Sequence, residues 1–345
     1  MSTSAYRPFV HPAAWKSADL GVKDAFAVDL GRRHLEAMCD DLARCKASAL
    51  ELEQIDRDAF PLSRIRDDVE AWRREVREGR GIVLLRGLPV GEMPLNDLRM
   101  LYLGLGCHFG RPVSQSAMGD VVGDVVNVGG RDKRERAYRS SRALKLHTDR
   151  CDHIAMLCVR PAAQGGLSGY ASALTIHNEM LRERPDLVPL LYRGYYHHRF
   201  GEQAEGEPPV TRGRIPIFSV ADGVPSVICI RGYIDLAAEE GHVRLTDAER
   251  EALDYMESIA DRPDVRLDFL LEPGEATFTN NCLLLHTRTE FEDADDPARK
   301  RLLLRLWLRE DDRPLSPGAA LHKGAAGIEK RAGKGTYYMP PAAGS

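Results

Sequence analysis

Asn280-Asn281-Cys282-Leu283-Leu284-Leu285-His286-Thr287-Arg288-Thr289, followed by Arg299-Lys300-Arg301-Leu302-Leu303-Leu304-Arg305-Leu306-Trp307-Leu308, is a pair of short apolar runs that carry charged and imidazole side chains. Leu267-Asp268-Phe269 and Glu272-Pro273-Gly274-Glu275 precede it and read as a strand, a Pro-Gly turn and a second strand. On an extended strand, residues an even number apart share a face, so Arg301 and Arg305 point the same way among apolar neighbours. An inward guanidinium is costly unless it meets an anion. An internal carboxylate or a bound acid would each satisfy Arg301.

Working outward, the same short-strand texture fills the C-terminal two thirds of the chain. Strands are expected at Ile82 to Gly87, Asp124 to Val128, His153 to Val159, Tyr170 to Ser172, Ile215 to Val220 and Val227 to Ile230. Val265 to Leu271, Ala276 to Thr279, Leu283 to His286 and Leu302 to Leu308 complete them. Helical spacing marks Arg32 to Leu50, Asp67 to Glu78 and Leu95 to Gly106. His177 to Arg184 reads as a short helix, and Thr246 to Ile259 as an amphipathic one opened by a Thr246-x-x-Glu249 capping box. Many short strands with few helices indicate a barrel or sandwich instead of alternating βαβ units. The expected class is therefore mainly β with flanking helices (α+β). The division read from composition is a helical region over 1–78 packed on the core, a β domain over 79–313 and an irregular tail over 314–345.

The chain has 345 residues, 43% hydrophobic and 29% charged, with a formal net charge of −4. That balance gives no global reason to expect nucleic acid or a membrane surface as partner. No apolar stretch approaches the roughly 20 residues of a membrane span, and no signal peptide is evident, so a cytoplasmic setting is expected. Seven scattered cysteines without a Cys-x-x-Cys pair read as reduced, mostly buried thiols. A basic run (Arg131, Lys133, Arg134, Arg136, Arg139, Arg142) is either a solvated loop or a lid that attracts an anionic substrate.

His147-Thr148-Asp149 lies just beyond that run. The i, i+2 spacing aims His147 and Asp149 into one cavity, and His286 could join them from a distant strand. Two histidines and a carboxylate hold non-heme Fe(II) while leaving coordination positions open. A downstream arginine suits a carboxylate bidentately. Alone, each piece is weak, because a His-x-Asp pair or a strand histidine is more often structural.

Taken together, Gly81-Ile82-Val83-Leu84-Leu85-Arg86-Gly87, His147-Thr148-Asp149, Gly165-Gly166-Leu167-Ser168, Pro273-Gly274, Asn280-Asn281, His286 and Arg301-x-x-x-Arg305 resemble the TauD/TfdA family of Fe(II)- and 2-oxoglutarate-dependent dioxygenases, within the clavaminate-synthase-like enzymes. The resemblance covers Gly81 to Arg309. It implies a double-stranded β-helix (jelly-roll, cupin-like) core and makes His147, Asp149 and His286 the iron ligands. Arg301 would hold the distal carboxylate of 2-oxoglutarate, helped by Ser168, where relatives commonly carry Thr. Gln115 and Arg305 fall where relatives often contact the prime substrate. The retained carboxylate of Asp149 disfavours halogenation.

The reaction so implied oxidises a small molecule with O2 and releases succinate and CO2. Hydroxylation of a carboxylate-bearing molecule, such as an amino acid or natural-product intermediate, is the leading expectation. Desaturation, cyclisation or oxidative cleavage at the same iron site is the alternative, and a homo-oligomer is compatible with it. A zinc hydrolase or a non-catalytic binding module is more distant. Gly104-x-Gly106-x-x-x-Gly110 and Gly333-Lys334 lack the contexts of nucleotide-binding motifs. His108 and the His197-His198 pair read as core or solvated histidines.

Overall fold

The computed structural model describes residues 6–128, 139–203, 206–324 and 327–330. The basic residues Arg131 to Arg136 and the end of the tail, Gly333-Lys334 included, lie outside the described residues. The strands are β1 (Ala27–Asp29), β2 (Ile82–Arg86), β3 (Arg111–Pro112), β4 (Val122–Val125), β5 (Leu144–His147), β6 (His153–Arg160), β7 (Gln164–Gly165) and β8 (Ser168–Ser172). They continue with β9 (Phe218–Ala221), β10 (Val224–Val227), β11 (Arg266–Phe269), β12 (Ala276–Asn280), β13 (Leu284–Arg288), β14 (Phe291–Glu292) and β15 (Leu302–Arg309). The helices are α1 (Ser17–Leu20), α2 (Arg32–Ala47), α3 (Arg66–Arg77), α4 (Leu95–Gly106), α5 (Ala173–Glu183), α6 (Val188–Arg193), α7 (Arg231–Glu239), α8 (Asp247–Ala260) and α9 (Pro317–Lys323).

Two sheets carry the molecule. One runs β1-β2-β12-β6-β15-β3 with β4 also on β15, and the other runs β11-β8-β13-β5. Their pairs are antiparallel except for β1 on β2. Neighbours in the sheets are distant in sequence, as the jelly-roll topology of a double-stranded β-helix requires.

Strand alternation explains why the sheets stack. Ile82, Leu84, Val125, Cys158, Tyr170, Leu284 and Leu303 form a core between them. The outer face of the larger sheet, with Val83, Leu85, Phe278, Leu304 and Leu306, is covered by residues of α2, α3 and α4. The outer face of the smaller sheet, with Leu146, Ala171 and Leu285, is covered by α5, α6 and α8. On β15, Leu302, Leu304, Leu306 and Leu308 therefore belong to the helix-backed core. Leu303, Arg305 and Trp307 line the internal cavity with Arg301 just before them. Burying a leucine such as Leu304 is worth about 2–5 kcal/mol against alanine, enough to hold that register.

Local signals account for several boundaries. Thr246 Oγ1 accepts from Glu249 N (3.2 Å) while Thr246 N donates to the Glu249 carboxylate (2.8 Å), so the capping box forms and opens α8. Helix α5 starts earlier than expected, at Ala173, because Ser172 Oγ accepts from Thr175 N. Strand β4 sits at 122–125 instead of 124–128, where β15 supplies its partner residues. Asp222 and Gly223, both at positive φ (50° and 79°), turn β9 into β10. The chain after Pro314 is not all irregular: Ser316 caps α9 through Ala319 N, and Pro317 occupies its first turn. The N-terminal region, expected to be helical, also gives β1 to the larger sheet.

Candidate active site

A cavity of about 750 Å3 opens between the sheets, large enough for a cosubstrate and a small substrate together. Residues 144–147 of β5 and His286 of β13 form one wall, β15 forms another, and α7 lies across the mouth. Register places His147 directly opposite His286, with ring centroids 4.3 Å apart. Asp149 completes the group just beyond β5, and the three ligating atoms lie within 4.8 Å of one another. His147 Nε2 is 4.0 Å from one carboxylate oxygen and His286 Nε2 is 3.9 Å from the other. Those separations are too long for hydrogen bonds, so the donor atoms converge without consuming each other.

Surrounding groups fix each donor in a ligating state. His147 Nδ1 donates to the Lys145 carbonyl (2.8 Å), which only accepts, and this leaves Nε2 facing Asp149. His286 is held neutral: burial, then the neighbouring His147, pushes its pKa down to about 3. Burial would raise Asp149, but Arg305 and the two imidazoles outweigh it and bring the carboxyl down to about 2. Arg305 Nη1 (3.1 Å) and Trp307 Nε1 (2.8 Å) both donate to Asp149 Oδ2. Asn281 braces the backbone, accepting from Asp149 N (2.9 Å) and donating to the carbonyls of Asp149 and Cys151 (2.8 Å each). Two imidazoles and one carboxylate, converging without hydrogen-bonding one another, suit a divalent iron.

The far wall is cationic. Arg301, 3% exposed, has a buried Nη1 with no hydrogen-bond partner among the described residues. Burial pulls its pKa down to about 10. Arg288 is buried beside it, with Nε and Nη1 likewise unpartnered, and burial with the charge of Arg301 brings its pKa down to about 9. Its Nη2 donates to the carbonyls of Ser140 (2.7 Å) and Arg142. Both guanidiniums sit over the Phe291 ring, at 4.7 Å for Arg288 and 4.9 Å for Arg301. Ser168, at the start of β8, lines the same space. Unpaired donors on two buried cations fit an anionic ligand, and a carboxylate supplies the missing acceptors.

Gln115 has a different place from the one expected. It is 1% exposed and does not line the cavity; its Oε1 accepts from Arg305 Nε (2.7 Å) and its Nε2 donates to the Arg305 carbonyl (2.8 Å). It therefore aims Arg305 from behind. Gly123 makes room for this, since a Cβ there would stand 2.8 Å from Gln115 Oε1. Sequence reasoning missed Arg288, although its i+2 relation to His286 placed it on the same strand face. A second histidine group, His198, Glu240 and His242, also converges. His198 Nδ1 accepts from Phe200 N (3.0 Å), so its Nε2 carries the proton towards Glu240 and is no metal ligand.

The family described as taurine catabolism dioxygenase TauD, TfdA family, matches residues 47–307. The chain is 30% identical over 328 residues to FR-33289 synthase of Streptomyces rubellomurinus, covering 92% of this chain and 95% of that one. Asparagine oxygenase, solved with Fe(II), 3-hydroxyasparagine and succinate, superposes with a TM-score of 0.66 at 20% identity, over 82% of this chain and 93% of that one. The non-heme iron oxygenase OrfP with Fe and alpha-ketoglutaric acid gives 0.58 at 16% identity, over 83% and 94%. The chain belongs to the TauD/TfdA family and is an Fe(II)- and 2-oxoglutarate-dependent oxygenase.

Proposed function

We propose that His147, Asp149 and His286 hold the iron, that Arg301 with Ser168 takes the distal carboxylate of 2-oxoglutarate, and that the enzyme hydroxylates a small zwitterionic acid, an amino acid or a natural-product intermediate. The catalytic unit in this reading spans 79–313. Bound there, Fe(II) and 2-oxoglutarate supply the power to oxidise an unactivated carbon with O2, the cosubstrate leaving as succinate and CO2. The chain's own part is positioning. Arg305 and Trp307 hold Oδ2 of Asp149 and leave Oδ1 turned towards His147. Arg301 orients the cosubstrate by its charge, and Val125, Met156, Tyr170 and Leu303 supply an apolar wall that excludes water.

The convergence of three ligating side chains at one end of a cavity whose other end carries unpaired buried arginine nitrogens carries the reading. A zinc hydrolase has no use for that second end. For the substrate, the mouth offers charges of both signs, with Lys145, Arg150 and Arg231 beside Asp235, Glu239 and Glu240. Such a wall suits an amino group and an acid on one molecule, as in the asparagine of the asparagine oxygenase. Gln115, being enclosed, is assigned to orienting Arg305.

Anaerobic titration of the apoprotein with Fe(II) and 2-oxoglutarate, followed by the visible charge-transfer band, tests the site. A band that disappears in Asp149→Ala and needs far more cosubstrate in Arg301→Ala supports the assignments; an unchanged band in both refutes them. Amino acids that shift the band should lose that effect as N-acetyl or carboxamide forms. Equal shifts from the blocked forms would refute the zwitterion.

A further inference from the structure

Behind the metal-holding loop lies a sealed polar cluster that the oxidation reaction does not use. Cys282, Lys323 and Asp152 are each 0% exposed. Cys282 sits in the turn between β12 and β13, and Lys323 is the last residue of α9. Lys323 Nζ is 2.8 Å from Asp152 Oδ1, an ordinary charged hydrogen bond. It is also 2.7 Å from Cys282 Sγ. The thiols of Cys45 and Cys107 keep 3.4 Å from their carbonyl partners, and Cys282 itself keeps 3.6 and 3.7 Å from Asp152 oxygens. A nitrogen-to-sulfur approach of 2.7 Å falls at the short end even of the roughly 2.7–3.2 Å range for the smaller oxygen acceptor. It matches two atoms joined through one bridging atom better than two atoms in van der Waals or hydrogen-bond contact.

The carboxylate has further partners. Asp152 already has Arg309 Nε at 3.2 Å and accepts from Glu310 N at 3.0 Å. A protonated Lys323 makes a second cation on one buried carboxylate. An amine linked to oxygen is a far weaker base and leaves Asp152 with one counter-charge.

We propose that Cys282 and Lys323 form an oxidative modification site, an Nζ–O–Sγ cross-link that fastens α9 to the core behind the iron-binding loop. The thiol and the amine react with dioxygen, which the established activity already brings to this protein. The S–H bond, one N–H bond and the O–O bond break; S–O and O–N bonds form; the second oxygen leaves as water with both hydrogens. Dioxygen takes four electrons, all supplied by the sulfur and nitrogen centres. Thiol reductant returns four electrons and regenerates thiol, amine and water.

The link has a structural target. Asn281, the residue before Cys282, clamps Asp149. Helix α9 reaches the same loop, since the His322 carbonyl accepts from Arg150 Nε (2.9 Å). Past the helix, Ile328 packs with Cys151 and Trp307. Closing Cys282 to Lys323 ties both sides of that loop together and raises stability as any chain cross-link does.

The test is peptide mapping of the full-length protein loaded with Fe(II) and 2-oxoglutarate, exposed to air, then denatured and alkylated without reductant. The expected product joins the Cys282 and Lys323 peptides, heavier by one oxygen and lighter by two hydrogens than their sum, with no tryptic cleavage after Lys323. Dithiothreitol beforehand should release both linear peptides and let Cys282 alkylate. Lys323→Arg, which keeps a cation for Asp152, and Cys282→Ser should lack the product. The unfolding midpoint should fall by several degrees on reduction in the wild type and not in Lys323→Arg. Complete alkylation of Cys282 in air-exposed, unreduced protein would overturn the proposal. So would a sulfenic acid or a disulfide at Cys282 with Lys323 unmodified. If a variant fails to fold, the wild-type comparison with and without reductant decides alone.

Discussion

The two ends of the cavity are built on opposite principles. Around Asp149 the protein meets most of its own demands: Arg305, Trp307 and Asn281 engage the carboxylate and its backbone. Around Phe291 it leaves demands open, with Arg288 and Arg301 buried side by side and three of their nitrogens without a partner among the described residues. The first end is organised in advance for a small cation. The second is strained by like charge and desolvation, so an acid bound there, as proposed for 2-oxoglutarate, would stabilise the fold as well as the site.

The harshest way to break this contrast is Asp149→Ala. It removes a proposed iron ligand and strands Arg305 and Trp307, so oxidation-linked succinate release should fall by well over about 100-fold, beyond the loss typical of a supporting partner. Next, Arg301→Ala should weaken 2-oxoglutarate binding by about 2–5 kcal/mol, read by titration of the iron-loaded protein. An outer support is expected to cost less: Asn281→Ala should lower Fe(II) affinity about 10–100-fold in an anaerobic metal competition.

Arg288→Met sharpens the contrast by reversing sign. It relieves a buried cation, so the apoprotein should melt higher while the stabilisation conferred by 2-oxoglutarate shrinks. A lower apoprotein melting point would mean that the far end is already satisfied. A pH-dependent effect lies outside the cavity. Burial, and then Arg150, lowers His197 to about 3 from an ordinary 6.5, so below pH 6.5 the unfolded chain binds a proton that the fold refuses. That contribution is intact above pH 6.5 and is lost at roughly 1 kcal/mol per pH unit as pH falls towards 3. A His197→Phe variant should show a flatter denaturant-midpoint profile over that window.

What the sequence disclosed followed from period and chemistry. Strand alternation was enough to put Arg305 of β15 and Arg301, just before it, on one face, and the His147, Asp149 and His286 types were enough to suggest an iron set. Helix α8 was readable because its cap is local. The Asp222-Gly223 hairpin was equally local and went unread. Helices α7 and α9 were missed because α7 begins directly after apolar residues that look like strand, while the tail around α9 has the composition of a loop. The place of Gln115 was not legible because its partner is 190 residues away, and the pairing of β3 and β4 with β15 brings the two together.

Strand β15 also bears on how such an enzyme can diversify. Leu302, Leu304, Leu306 and Leu308 grip the helical backing while Leu303, Arg305 and Trp307 face the cavity, so one inserted or deleted residue would exchange the two sets at a stroke. Point substitutions can drift along this strand, but length changes cannot. New substrates must therefore be acquired in the segments that cross the mouth, such as α7 and its flanking turns, where insertions leave that alternation untouched.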